Sequence, residues 1–241
     1  MLLTVSVSAQ FRDDSSYADL YDGETVASLK GHVRELSSAM MEGRKAGSEG
    51  EKLAAEYVTD VLSSYGVDVL SPKGGEVFGL RTEAGDTLTS RNVIGYVQGY
   101  DKTLRDRYVL VGARLDNIGS MTMTVDGEPR EKIFYGANGN ASGLSIMLEL
   151  ARMVQTNSIL FRRSVIFVAF GASTETFAGS WYFLNRSFAS DKIDAMINLD
   201  MLGTGYNGFY AFTSSNTDLN TVISRLSGDL QPVHPQLVAA E

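Results

Sequence analysis

The chain has 241 residues, 44% of them hydrophobic and 10% aromatic, which suits one domain with a substantial core. Its 21 basic and 29 acidic residues leave a net charge of −8 with no basic run. That balance excludes ordinary nucleic-acid binding, because phosphate recognition needs clustered Lys and Arg. With no cysteine, disulfides, thiolate catalysis and Cys-based zinc sites are excluded as well.

Residues 2–7 are apolar, and Val7-Ser8-Ala9 before Gln10 has the small-residue pattern of a signal-peptidase site. Residues 1–10 are therefore read as a signal-peptide remnant and the protein as periplasmic or secreted, with a frayed terminus on a cytoplasmic protein as the alternative. No later stretch approaches the ~20 apolar residues that span a bilayer. Residues 13–24 form a polar leader. A first helix is expected over 26–41, with His32 on its exposed face. The glycine-rich segment 43–50 must be a loop. A second helix carries Leu53, Ala54, Tyr57, Val58, Val61, Leu62 and Tyr65 on one face, and Gly66 stops it.

The period then changes. Residues 92–97, 108–113, 164–170 and 195–199 are short β-rich runs. The last three are almost continuously apolar, as strands covered on both faces should be. Residues 144–154 are apolar nearly all round and predict a buried helix, and 177–185 predict another. Buried strands alternating with helices give an α/β three-layer sandwich, a largely parallel or mixed sheet with helices on both faces. A single domain over residues 25–241 is expected. In open α/β sheets ligands bind beyond the carboxyl ends of the strands. Four segments qualify: Arg114-Leu115-Asp116, the stretch 136–143, the stretch 171–176, and Asn198-Leu199-Asp200.

Together with Gly43-Arg44 and Ala46-Gly47-Ser48-Glu49-Gly50, the order and flanks of these segments resemble metallopeptidase family twenty-eight. These are the aminopeptidases of S and Y type among the co-catalytic zinc exopeptidases. The resemblance covers most of residues 29–203 and implies two adjacent zinc ions, a bridging water, and a glutamate that accepts its proton. It also implies where the chemistry has gone. The histidine of the A-H-x-D motif is Arg114 in Ala113-Arg114-Leu115-Asp116, and guanidinium carries donors only. Asp116, the orienting carboxylate, is retained. The bridging aspartate falls on Gly139, in Gly136-Ala137-Asn138-Gly139-Asn140-Ala141-Ser142-Gly143. The general base falls on Ser173 and the glutamate ligand on Thr174. Asp200 is the only matching ligand position.

The family's late histidine ligand has no counterpart before Glu241, so the chain is expected to lack the family's C-terminal part. His234 reads as a loop residue. Glu175 stands one residue from a lost glutamate, and an oxygen-only cation site from Asp116, Glu175 and Asp200 is the weaker alternative. Arg114 is expected to replace the metal charge by pairing with Asp200 or Asp116 in bidentate geometry.

The resulting reading is a metal-free, non-catalytic pseudopeptidase with no cofactor, in which Arg114, Asp116, Gly139, Ser173, Thr174 and Asp200 line a pocket suited to a peptide or carboxylate ligand. An active metal-dependent hydrolase with an unusual site and a truncated, non-functional paralogue are the competing readings.

Overall fold

The computed structural model describes residues 23–82, 85–203, 210–213, 217–229 and 236–239. The apolar residues 2–7, the leader up to residue 22 and His234 lie outside them, and Glu24, the leader's last residue, already belongs to the first helix. The first helix, α1, spans Glu24–Leu36, with Glu24 in its first turn and Arg34 in its last, each matched to the helix dipole. It stops short of the expected end. Ser37 turns its hydroxyl back to Val33 O at 2.6 Å, Ser38 is extended, and only a 3-10 turn, Ala39–Met41, follows.

Helix α2 (Glu49–Ser64) is fixed at both ends by its own sequence. Ser48 Oγ accepts from the Glu51 N–H at 3.2 Å, while the Glu51 carboxylate accepts from Gly47 N–H at 2.8 Å. This is a capping box displaced by one residue. At the other end Gly66 is left-handed, and the Gly66 and Val67 N–H groups bond to the Ser63 and Leu62 carbonyls, a Schellman motif.

The main sheet follows. Strands β1 (Asp68–Val69), β2 (Glu76–Arg81), β3 (Thr87–Val97) and β4 (Tyr108–Arg114) come first. A hairpin, β5 (Gly119–Val125) and β6 (Glu128–Phe134), then stands apart from the sheet as its own two-stranded ribbon. Helix α3 (Ser142–Thr156), strand β7 (Ser164–Phe170), the short helix α4 (Ala178–Tyr182) and strand β8 (Ile193–Leu199) come next. Strand β9 (Tyr210–Thr213), helix α5 (Thr217–Asp229) and strand β10 (Gln236–Ala239) end the described chain, with β9 and β10 paired in parallel. The sheet order is β1-β3-β7-β4-β8, with β2 paired to the first half of β3. Strand β3 runs antiparallel to β7, whereas β4 is parallel to both β7 and β8, so the sheet is mixed.

Period-two alternation sorts the core. Val165, Phe167 and Ala169 of β7, Val111 and Ala113 of β4, and Val93 and Val97 of β3 pack beneath α1, α2 and α3. Their neighbours Ile166, Val168, Phe170, Leu110 and Ile94 face the other way, against Phe183 and Phe188 of the segment that follows α4. Every residue of β7 is buried, as its apolar sequence predicts for a central strand. Strand β8 departs from the expectation. Among the described residues it is the outer strand, paired only to β4, and Met196 and Ile197 are 42% and 41% exposed.

His32 is a second correction. It is 6% exposed, with Nδ1 2.7 Å from the Tyr57 hydroxyl and Nε2 3.0 Å from the Tyr65 hydroxyl. Glu149 of α3 accepts from Ser28 at 2.5 Å and is held by Arg152. A polar network thus joins three helices where an apolar contact is the usual solution. Burial lowers the His32 pKa, and the Glu149 charge only partly opposes this. No helix among the described residues is long and apolar enough to cross a membrane.

Candidate functional site

Parallel register brings the carboxyl ends of β7, β4 and β8 to one rim. Arg114 is in register with Phe170, and Ala113 with Leu199, so the next residue on β8, Asp200, falls beside Arg114. Arg114 Nη2 lies 3.2 Å from Asp200 Oδ1. The contact is a single one, not the expected bidentate fork, and the Asp200 side chain is 47% exposed.

Asp116 does something else. Fully buried, it turns toward the loop after β7 and accepts from Ser173 N at 2.8 Å, Thr174 N at 2.9 Å and Thr174 Oγ1 at 2.5 Å. Both carboxylate oxygens are engaged by Ser173 and Thr174. Three donors to one carboxylate hold it in a fixed orientation. Ser173 and Thr174 are therefore brought to the site as a cradle for Asp116.

The segment 136–141 closes the rim from the third side. Gly139 and Asn140 break its helical turn and are joined by a cis peptide. Asn140, wholly buried, donates to Leu199 O at 2.9 Å and to Arg114 O at 3.5 Å, and accepts from Met201 N at 2.9 Å and Gly143 N at 3.2 Å. One amide side chain thus ties β4, β8 and the start of α3 together. Gly143 is needed for this approach, since a Cβ there would sit 2.4 Å from Leu199 O. Gly139 is different. It has φ −110° and ψ 80°, and a Cβ there would lie 3.6 Å from Asn117 Oδ1 and 3.8 Å from Arg114 Nη2, ordinary contact distances. A side chain could therefore begin at this position without displacing either group.

Two residues with no role assigned from sequence prove central. Arg44, fully buried with φ 50°, donates to Leu115 O at 3.1 Å, Tyr135 O at 3.0 Å, Gly136 O at 3.0 Å and Gly139 O at 3.4 Å, and also to Leu36 O. Burial and the nearby Arg114 charge push its pKa down to about 10, with Asp116 opposing, so it stays cationic at neutral pH. Glu51 lies buried below the loop after β7, accepting from Ser90 Oγ at 2.5 Å as well as from Gly47. Burial, assisted by the Asp116 charge, pushes its pKa up to about 7 against the bonds from Ser90 and Gly47. The S-x-x-E spacing of Ser48 and Glu51 is a readable sign of the second residue. Arg44 gives none beyond its place in the resemblance.

The donor set has a definite chemistry. Arg114 presents only N–H groups, Gly139 presents no side chain, and the Ser173 and Thr174 hydroxyls donate to Phe170 O and to the Asp116 carboxylate. Among the described residues no three His, Asp or Glu side chains gather closely enough to hold a metal ion, so Asp116, Glu175 and Asp200 do not form an oxygen-only cluster.

Residues 92–239 match peptidase family M28. The chain is 26% identical over 197 residues to leupeptin-inactivating enzyme 1 of Streptomyces exfoliatus, covering 80% of this chain and 39% of that protein. It is 24% identical over 236 residues to aminopeptidase YwaD of Bacillus subtilis, covering 86% and 48%. The chain thus spans less than half the length of either relative. Among solved structures, a Zn-dependent exopeptidase from Parabacteroides distasonis superposes with a TM-score of 0.69 at 18% identity, covering 89% of this chain and 76% of the other. A glutaminyl cyclase from Porphyromonas gingivalis gives 0.71 at 20% identity, covering 90% and 75%. At such identities the likeness concerns the fold.

Proposed function

The chain belongs to peptidase family M28, and we propose that within this aminopeptidase-like family it is a pseudopeptidase, metal-free and non-catalytic, with a binding role. The observation that carries the reading is the occupation of the former ligand positions. A guanidinium pairs with the one retained ligand carboxylate, Asp200, and the other carboxylate, Asp116, is saturated by the loop where a base and a ligand would stand. These residues do not fit a pair of zinc ions. Zinc requires imidazole, carboxylate or thiolate donors, and a fixed cation at the centre of the site repels it. Nor do Ser173 and Thr174 fit as a general base, since a neutral hydroxyl is too weak a base to take a proton at neutral pH.

The substitutions are mutually consistent. Losing carboxylates at 139, 173 and 174 removes negative charge that the metals would have balanced, and Arg114 supplies the positive charge for what is left. The test is metal analysis of the purified protein, followed by hydrolysis assays on aminoacyl chromogenic substrates with added Zn²⁺, Mn²⁺ or Co²⁺. The expected result is substoichiometric metal and no metal-dependent turnover. Tight stoichiometric zinc accompanied by metal-dependent hydrolysis would overturn the reading.

A further inference from the structure

Two facing groups border the space beside Gly139. On one side is Arg114; among the described residues its Nη2 bonds to Asp200 and its Nε–H is buried without an acceptor. On the other is Asn117, 5% exposed, whose Nδ2 donates to Phe134 O at 2.8 Å. That bond fixes the amide and leaves Oδ1 turned toward Gly139 as an acceptor. A Cβ on Gly139 would lie 3.6 Å from Asn117 Oδ1 and 3.8 Å from Arg114 Nη2, so both polar groups face the direction a side chain at this position would take.

The charges around the gap favour an anion. Among the described residues Arg44 donates to main-chain oxygens alone, and its guanidinium and that of Arg114 lie close enough to repel one another. Against these two cations stand Asp116, already saturated by its loop, and Asp200, half-exposed and held by one 3.2 Å contact.

We propose that the Gly139 gap is a subsite for the C-terminal residue of a peptide. The terminal carboxylate would bond to Arg114, displacing Asp200 toward solvent, and the N–H of the same residue would donate to Asn117 Oδ1. The pairing of a guanidinium donor with an amide acceptor across one small gap selects an α-amido carboxylate over a simple anion. Asp200 acts as an internal placeholder that keeps the guanidinium neutralised while the subsite is empty. This assignment rests on the reading of Arg114 as the successor of the metal, and it names what that residue would hold.

The experiment is a titration of the purified protein in EDTA, followed by NMR or calorimetry, with four probes: N-acetylalanine, N-acetylalaninamide, N-acetyl-N-methylalanine and acetate. N-acetylalanine should bind at least about tenfold more tightly than each of the others, the discrimination expected when a charged or a neutral hydrogen bond is lost from a confined site. Gly139→Asp, which fills the gap with an internal carboxylate, should abolish binding. Asp200→Asn, which removes the competitor, should tighten it several-fold. Equal binding of the acid and its amide, equal binding of the N-methylated acid, or unchanged binding in Gly139→Asp would each overturn the proposal. If Gly139→Asp does not fold, the probe series and Asp200→Asn decide the matter alone, and binding that does not tighten in Asp200→Asn overturns it. Because the titration is run in EDTA, its failure is separable from a failure of the pseudopeptidase reading, which would show as zinc and turnover in the untreated protein.

Discussion

The substitution Glu51→Gln should reverse part of the protein's response to pH. Glu51 is fully buried, and its pKa is pushed from an ordinary 4.5 up to about 7, first by burial and then by the Asp116 charge, with the Ser90 and Gly47 bonds opposing. In the folded state the carboxyl therefore holds its proton across a window in which the unfolded chain has released it. Between pH 4.5 and about 7 the folded protein binds more protons, so stability falls as pH rises and the deficit persists above that window. At about 1.4 kcal/mol per pH unit, the cost of ionising Glu51 in place approaches roughly 3 kcal/mol. The introduced amide would keep the geometry, its oxygen accepting from Gly47 N–H and its NH₂ group donating to a Ser90 hydroxyl turned to accept. Urea denaturation at intervals from pH 4.5 to 8 measures the difference between the two proteins, which cancels every other titration. Near pH 4.5 the two should match, and by pH 8 the variant should be more stable by about 2–3 kcal/mol. A difference that stays constant across this range would refute the reasoning.

His32 should act in the opposite sense. Its folded pKa lies below the ordinary 6.5 because of burial, with Glu149 opposing, so stability is present above 6.5 and lost as pH falls. His32→Gln should flatten that acid limb in the same urea series. Arg44→Met should destabilise the fold by about 3–5 kcal/mol, because several buried carbonyls lose their donor, and Arg44→Lys should recover little since one ammonium cannot span them. Thermal melts of both variants check this. Asp116→Ala should cost about 2–4 kcal/mol by leaving two loop N–H groups unpaired. Hydrogen exchange at Ser173 and Thr174 should accelerate in that variant more than exchange elsewhere in the sheet.

The sequence makes the centre of the fold legible and leaves its margins obscure, for physical reasons. Strands β4 and β7 are sandwiched between layers, so their sequences are unbroken apolar runs that read directly. Strand β8 carries the same kind of run but has one neighbour among the described residues, and apolar composition does not reveal a missing partner. The β5–β6 hairpin escapes a search by periodicity because its residues are largely exposed on both faces, leaving no hydrophobic alternation to find. Its turn is readable, since Asp126-Gly127, with φ 54° and 82°, is a strong two-residue hairpin signal. His32 defeats the sequence reading because a helix face is usually judged by apolar side chains. On α1 the buried positions are His32 and Leu36, and hydroxyls from another helix satisfy the imidazole.

At the site, the identity of each residue, and so the donors and acceptors it can offer, is visible in one dimension. Where the surviving groups turn is visible only in three. Asp116 and Asp200 are both aspartates at strand ends, yet one is enclosed by a loop and the other is half open to water.

The acceptors of Arg44 carry one more consequence. All of them are main-chain carbonyls, at Leu36, Leu115, Tyr135, Gly136 and Gly139. Such a clamp recognises the path of the chain and is indifferent to the side chains along it. A side-chain exchange at 139 that keeps the path should therefore leave the clamp's grip intact. Shape at this rim is thus held by the main chain, and the side chains it presents are a separate matter.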